Sequence, residues 1–221
     1  MLPIVSIVGK SKVGKTTLLE RLVAELKRRG YRVATVKHDI HSFEIDQPGK
    51  DSWRHAQAGS DAVVISSPEK IALIKKVDHD SSLEEIRWLL GDDFDIVLAE
   101  GFKRGKAPKI EVYRKAAATE LLCSPSELMA VATDESLGLG VPEYALDDAA
   151  GLADLIQRKC LARHEEEEVS LLVNGTPVPL NPFVKGIMAK TLLGMVSALK
   201  GVDEVRGLDI FLRRPQQASE D

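Results

Sequence analysis

Cysteine is scarce in this chain of 221 residues: only Cys123 and Cys160, far apart. That excludes a disulfide framework and leaves no zinc-type ligand spacing. No apolar run approaches the roughly 20 residues that a membrane span requires. An excess of one charge is missing too, with 30 basic against 34 acidic residues and a formal net charge of −4. Such a balance does not point to a nucleic-acid binder, although a local basic patch stays open. The run Leu2-Pro3-Ile4-Val5 is short and leads into Gly9-Lys10, which suits a buried strand better than a signal peptide. The expectation is a soluble cytoplasmic protein with neither nucleic acid nor membrane among its partners.

Apolar residues make up 44% and charged residues 29%, ordinary values for a chain that buries a core without staples. Leu2 to Val8 is an apolar, β-branched run, as a buried parallel strand requires. Leu18, Leu19, Leu22, Val23 and Leu26 then recur at helical spacing, and Gly30 stops the helix. Tyr31 to Val36 reads as the next strand, completing a strand–loop–helix–strand unit of about 35 residues. A loop follows over His38 to Gly49, then a short helix over Asp51 to Ala58. Further strands are expected over 61–66, 70–77, 94–99, 109–113 and 128–133. A helix over Ser81 to Leu90 carries the capping pair Ser82 and Glu85. Asp147 to Cys160 reads as the last helix of this part. Strands alternating with helices argue for an α/β fold, a mostly parallel sheet flanked by helices.

The acidic stretch 164–168 reads as a linker between a domain over 1–163 and a small module over 169–214, with a tail over 215–221. Asn174-Gly175 between two apolar runs is a hairpin signal. Asn181-Pro182 caps and opens a helix whose apolar face holds Phe183, Val184, Ile187, Leu192, Met195, Val196 and Leu199. Leu208, Ile210 and Leu212 alternate as a strand does, so a β-β-α-β module is expected.

The chemistry sits in Gly9-Lys10-Ser11-Lys12-Val13-Gly14-Lys15-Thr16, followed by Thr17, which fits G-x-x-x-x-G-K-[ST] in full. Glycines at both ends let the loop wrap so that backbone N–H groups face an anion. The helix beginning near Lys15 adds its positive end. Lys15 then serves the β- and γ-phosphates of a nucleoside triphosphate, and the Thr16 hydroxyl serves Mg²⁺. The motif follows a strand and opens a helix, the context of a P-loop NTPase fold. A second acid is expected at a strand end to complete the Mg²⁺ shell or to orient water. Glu100 is the first candidate, and Asp39 is a rival or an addition. Asp95, at the start of that strand, reads as a turn or cap residue. No N-K-x-D guanine-reading motif is present. Thr133-Asp134, at the end of another strand, is the remaining candidate for reading a base, against an ordinary strand-to-loop turn.

Taken in order, the P-loop, Lys37-His38-Asp39, Asp46-Gln47-Pro48-Gly49-Lys50-Asp51-Ser52, Leu98-Ala99-Glu100-Gly101-Phe102-Lys103 and Pro108-Lys109-Ile110-Glu111-Val112 resemble the MobB family. These are the molybdopterin-guanine dinucleotide biosynthesis adaptor proteins, and the resemblance covers about residues 1–160. It implies GTP rather than ATP as the nucleotide, weak Mg²⁺-dependent hydrolysis, and a homodimer. It also implies work beside the molybdenum cofactor guanylyltransferase and molybdopterin. Lys10 and Lys12 make this loop more basic than the family pattern, and a lysine after the first glycine is similar to dimeric ATPases. The segment from Val169 onward lies outside the family core. Lys37, His38, Arg54, Lys103, Arg104 and Lys106 read either as solvated loop charges or as a second anion site for a pterin phosphate. His38 and His41 lack the further ligands of a metal site. A small-molecule kinase and a non-catalytic, nucleotide-bound scaffold are the alternative functions.

Overall fold

The computed structural model describes residues 2–39, 43–91, 93–162, 169–174, 176–202, 204–205, 207–208 and 210–212. The chain divides into two compact units, Leu2–Ala162 and the part from Arg163 onward.

In the first unit, β1 (Ile4–Val8), β2 (Val33–Lys37), β5 (Ile96–Glu100), β6 (Lys109–Tyr113), β7 (Leu128–Thr133) and β8 (Glu143–Ala145) form one sheet in the order β2-β5-β1-β6-β7-β8. Every pairing in it is parallel. The central strands are buried on both faces, which is why they read as continuous apolar runs. Helices α1 (Lys15–Arg28) and α4 (Ala149–Ile156) pack with Val5, Ile7, Ile96, Leu98, Ile110 and Val112 in one core cluster. Leu18, Leu22 and Leu26 of α1 are buried there at the i, i+4, i+8 spacing that the sequence displays. Separate clusters form around Tyr113 and Val131, and around Leu2, Ala34 and Val97.

The helix expected over Asp147–Cys160 is α-helical to Ile156 and continues as a wider π-turn over Gln157–Leu161. Ser82 and Glu85 form a reciprocal capping box at the start of α3 (Leu83–Leu90). Asp95 ties the start of β5 to the start of β2: its carboxylate accepts from the Arg32 N–H at 2.6 Å and pairs with the guanidinium. β3 (Ala62–Ser66) and β4 (Ile71–Lys75), following α2 (Asp51–Gln57), pair antiparallel as a two-stranded sheet apart from the main one.

In the second unit, β9 (Leu171–Val173) and β10 (Thr176–Val178) pair antiparallel around Asn174, whose φ of 53° suits a hairpin turn. Asn181 Oδ1 accepts from the Val184 N–H and caps α5 (Pro182–Ser197). The expected closing strand is a correction. Leu208 and residues 210–212 lie in no strand, and Phe211 and Leu212 are 91% and 83% exposed. Apolar alternation suits one face of a sheet but does not supply the neighbour that a strand needs. Over its described residues the module is β-β-α. The acidic stretch 164–168 and the tail 215–221 lie outside the described residues.

Candidate functional site

β1 runs into the glycine loop, and α1 leaves it. Gly9 has φ 145°, and a Cβ there would collide with the Val112 carbonyl oxygen of β6 and stand 3.0 Å from Val13 Cγ2. Only glycine fits this passage. Val13 is the loop's anchor, 1% exposed and packed in the main core. Lys12 at φ 64° and Gly14 at φ 105° complete a backbone that repeatedly enters the left-handed region. Such a succession turns N–H groups to one side.

The start of α1 differs from those of α3, α4 and α5, and like that of α2 it has no side-chain cap. Ser82, Asp148 and Asn181 cap α3, α4 and α5 with side-chain oxygens. Gly14 occupies the same position on α1, no side chain accepts there, and the first turn holds no acid. The positive end of a 14-residue helix is therefore left for an external anion. Lys15 lies at that end, its Nζ donating to the carbonyls of Gly9 (3.1 Å) and Lys10 (2.8 Å). Ser11, Lys12, Thr16 and Thr17 are exposed along the same turn.

β5 brings in the acid. Ile7 of β1 pairs with Glu100, the last residue of β5, and the Gly101 N–H donates to the Ile7 carbonyl at 3.0 Å. The half-buried Glu100 carboxylate accepts from the Thr16 hydroxyl at 3.1 and 3.0 Å. No group of three or more His, Cys, Asp or Glu side chains gathers to hold a metal among the described residues. The donors at this point, one hydroxyl and one carboxylate, fit Mg²⁺, which keeps water and takes phosphate oxygens for the rest of its shell.

Asp39 lies two residues beyond β2, the strand on the far side of β5. His38 is tied to the site by its backbone, which donates to the Glu100 carbonyl at 3.0 Å. Its ring meets Asp80 at 3.0 Å and lies 4.6 Å from the Phe102 ring. Lys37 pairs in register with Glu100. Arg54 stands on α2 near Asp51 at 3.7 Å, while Lys103, Arg104 and Lys106 occupy the turn after β5. His41 lies outside the described residues.

Thr133 and Asp134 end β7, two strands from β1 on the same edge of the sheet. Thr133 Oγ1 donates to the Glu135 carbonyl at 2.8 Å, and Asp134 Oδ1 accepts from the Lys115 N–H at 2.9 Å. One residue here carried no motif. Arg114 follows β6, and its Nη2 lies 3.8 Å from the point where a Cβ on Gly14 would stand.

Residues 4–134 match the family model described as molybdopterin guanine dinucleotide synthesis protein B. A molybdopterin-guanine dinucleotide biosynthesis adapter protein of Haemophilus influenzae is 35% identical over 157 residues, covering 71% of this chain and 88% of the relative. A putative adapter protein of the same description from Methanocaldococcus jannaschii is 25% identical and spans 94% of this chain and 96% of its own. That alignment runs beyond the family-model match, so an archaeal relative shares the length of the C-terminal unit. A crystal structure of molybdopterin-guanine biosynthesis protein B superposes with a TM-score of 0.55 at 33% identity, covering 70% of this chain and 98% of that one.

Proposed function

Because the chain belongs to the molybdopterin guanine dinucleotide synthesis protein B family, we propose that it is a GTP-binding adapter in molybdopterin-guanine dinucleotide biosynthesis, with slow Mg²⁺-dependent hydrolysis. The observation that carries the nucleotide part is the uncapped start of α1 together with the Thr16–Glu100 contact beside it. Backbone N–H groups of Gly9 to Thr16 hold the phosphates, and Lys15 leaves the loop carbonyls for their oxygens. Thr16 and Glu100 hold the metal, which when bound neutralises phosphate charge. Glu100 is the acid best situated to orient water. GTP is favoured over ATP by the Asp134 carboxylate, since guanine offers N–H groups to an acceptor at this edge and adenine offers fewer.

The partners under this reading are the cofactor guanylyltransferase and molybdopterin. A second copy of the chain completes the assembly. Its support is the β3–β4 hairpin, a sheet of two strands that exposes Val64, Ile65, Ile71 and Leu73. A two-stranded ribbon is marginal alone, and two-fold dimers are the commonest oligomers, so a second copy is the cover this reading favours.

Titration of GTP and ATP against wild type and Lys15→Ala, with Mg²⁺, tests the reading. Lys15→Ala should weaken triphosphate binding by about ten- to a hundred-fold, the loss of one charge-assisted contact. Unchanged affinity in a folded variant overturns it. Transfer of labelled γ-phosphate to a small acceptor points to a kinase. Tight binding with no turnover beside the guanylyltransferase points to a scaffold.

A further inference from the structure

We propose that Arg114 is a nucleotide-binding residue that reaches the phosphate chain from the β6 side of the loop. The inference rests on the phosphate-binding reading of Gly9–Thr16. β6 pairs with β1 through Ile7 and Val8, so the chain leaving β6 runs beside the glycine loop. The Val112 carbonyl already touches the place where a Gly9 side chain would be, and Arg114 Nη2 stands 3.8 Å from the corresponding place on Gly14.

The surroundings of Arg114 are otherwise satisfied. Lys115 pairs with Glu135 at 2.8 Å, and the Tyr113 hydroxyl donates to the same carboxylate at 3.2 Å. The Asp134 carboxylate accepts from the Lys115 N–H. Arg114 itself is held by its carbonyl, which accepts from the N–H groups of Ala117 and Ala118 at 2.9 and 3.0 Å. Its exposed guanidinium has neither hydrogen bond nor ion pair among the described residues. An exposed arginine gains little from a surface ion pair, so its position says more than its lack of a carboxylate. This one lies against Gly14, the N-terminal end of α1, where the helix presents positive charge and Lys15 adds more.

A cation facing a positive helix end is unfavourable until an anion arrives between them. The guanidinium fork offers paired N–H donors to phosphate oxygens, which an ammonium does not match. Glu100 and Thr16 flank the loop from β5, and Arg114 flanks it from β6. Arg114 would neutralise the bound diphosphate from the β6 side, and Mg²⁺ held by Thr16 and Glu100 would do so from the other.

The test uses the full chain and titrates GDP, GTP and guanosine at several salt concentrations against wild type, Arg114→Ala, Arg114→Lys and Lys15→Ala. Arg114→Ala should weaken GDP and GTP by about ten-fold and flatten the salt dependence, as one lost charge contact requires. Arg114→Lys should recover part of the loss. Guanosine, which has no phosphate, should bind all the Arg114 variants alike. The ligand-free melting temperature should not fall, because the side chain has no partner to lose and its removal relieves the repulsion from the helix end and Lys15. If both Arg114 variants bind GDP and GTP as wild type does while Lys15→Ala is weakened, the inference falls and the loop reading stands. If Lys15→Ala is also unchanged, the loop reading falls and takes Arg114 with it.

Discussion

Thr16 donates its hydroxyl to both carboxylate oxygens of Glu100, at 3.1 and 3.0 Å, across 84 positions of sequence. The contact exists because β5 lies beside β1 in parallel register, with Glu100 opposite Ile7. Under the proposed reading, this hydroxyl and carboxylate are the two oxygen donors that would take Mg²⁺.

Glu100→Gln keeps the shape of that pair and removes its charge. Nucleotide binding without metal should survive, while the Mg²⁺ concentration needed for half-maximal hydrolysis should rise about ten-fold, the loss of one charged ligand. Mg²⁺ titrations of the two proteins check this. Superimposable curves would remove Glu100 from the metal shell and transfer the role to Asp39.

Gly9 and Gly30 both carry positive φ, 145° and 92°, but only Gly9 is crowded. A methyl group on Gly9 meets backbone of β6, whereas on Gly30 it meets nothing within 4 Å. Gly30→Ala should therefore cost conformational strain alone, about 1–2 kcal/mol, and leave nucleotide affinity unchanged. Gly9→Ala should displace the loop from β6 and lower both melting temperature and affinity. Equal effects of the two changes on affinity would mean that the β6 contact does not shape the loop.

The sheet was legible because its central strands are buried on both faces and read as apolar runs, so β6 and β7 match their expected bounds. The loop was legible because tight backbone passage demands glycine at Gly9 and Gly14. Contacts between distant segments were not. Nothing local says that Glu100 ends the strand beside β1, or that β3 and β4 leave the main sheet. β8 has three residues, too few to display a period. Arg114 carried no motif because its place is set by strand order and not by spacing. The strand expected at Leu208, Ile210 and Leu212 shows the converse: the alternation persists although, among the described residues, these pair with no strand.

Glu111 illustrates another contact that spacing hides. It is 1% exposed on β6, and its carboxylate accepts from the N–H groups of Leu122 (2.6 Å) and Cys123 (3.0 Å). Glu111→Ala leaves the buried Cys123 N–H without its acceptor, which should cost about 1–3 kcal/mol, and frees the more exposed Leu122 N–H. The segment it holds contains Cys123, whose thiol is pushed up by burial and then by the Glu111 charge. Loosening that segment should speed thiol labelling of Cys123. A variant that melts like wild type and labels no faster would show that other contacts hold the segment.

The start of α3 should have a pH optimum for local stability, set by His79 and Glu85. His79 Nδ1 meets Asp78 at 2.7 Å and Nε2 meets Glu85 at 2.9 Å. The Asp78 contact first, then Glu85, raises the imidazole above its ordinary 6.5. Glu85 is held down at about 2, chiefly by the Ser82 backbone N–H and then by His79. For a raised histidine, the protonated folded form is the favoured one. Its stabilisation is complete below about 6.5 and is lost as pH climbs through the folded value. For a depressed carboxylate the sign reverses. Its stabilisation is complete above its ordinary 4.5 and fades as pH falls toward about 2. Amide exchange protection at Glu85 and Ile86 should therefore be greatest between about pH 4.5 and 6.5 and decline on both sides. All these groups lie near the surface, so salt should blunt the effect. His79→Gln should abolish the decline on the alkaline side and leave the acid limb in place, because the Ser82–Glu85 capping box does not need the imidazole. Protection in wild type that stays flat from pH 5 to 8 would mean that the His79 contacts do not stabilise α3.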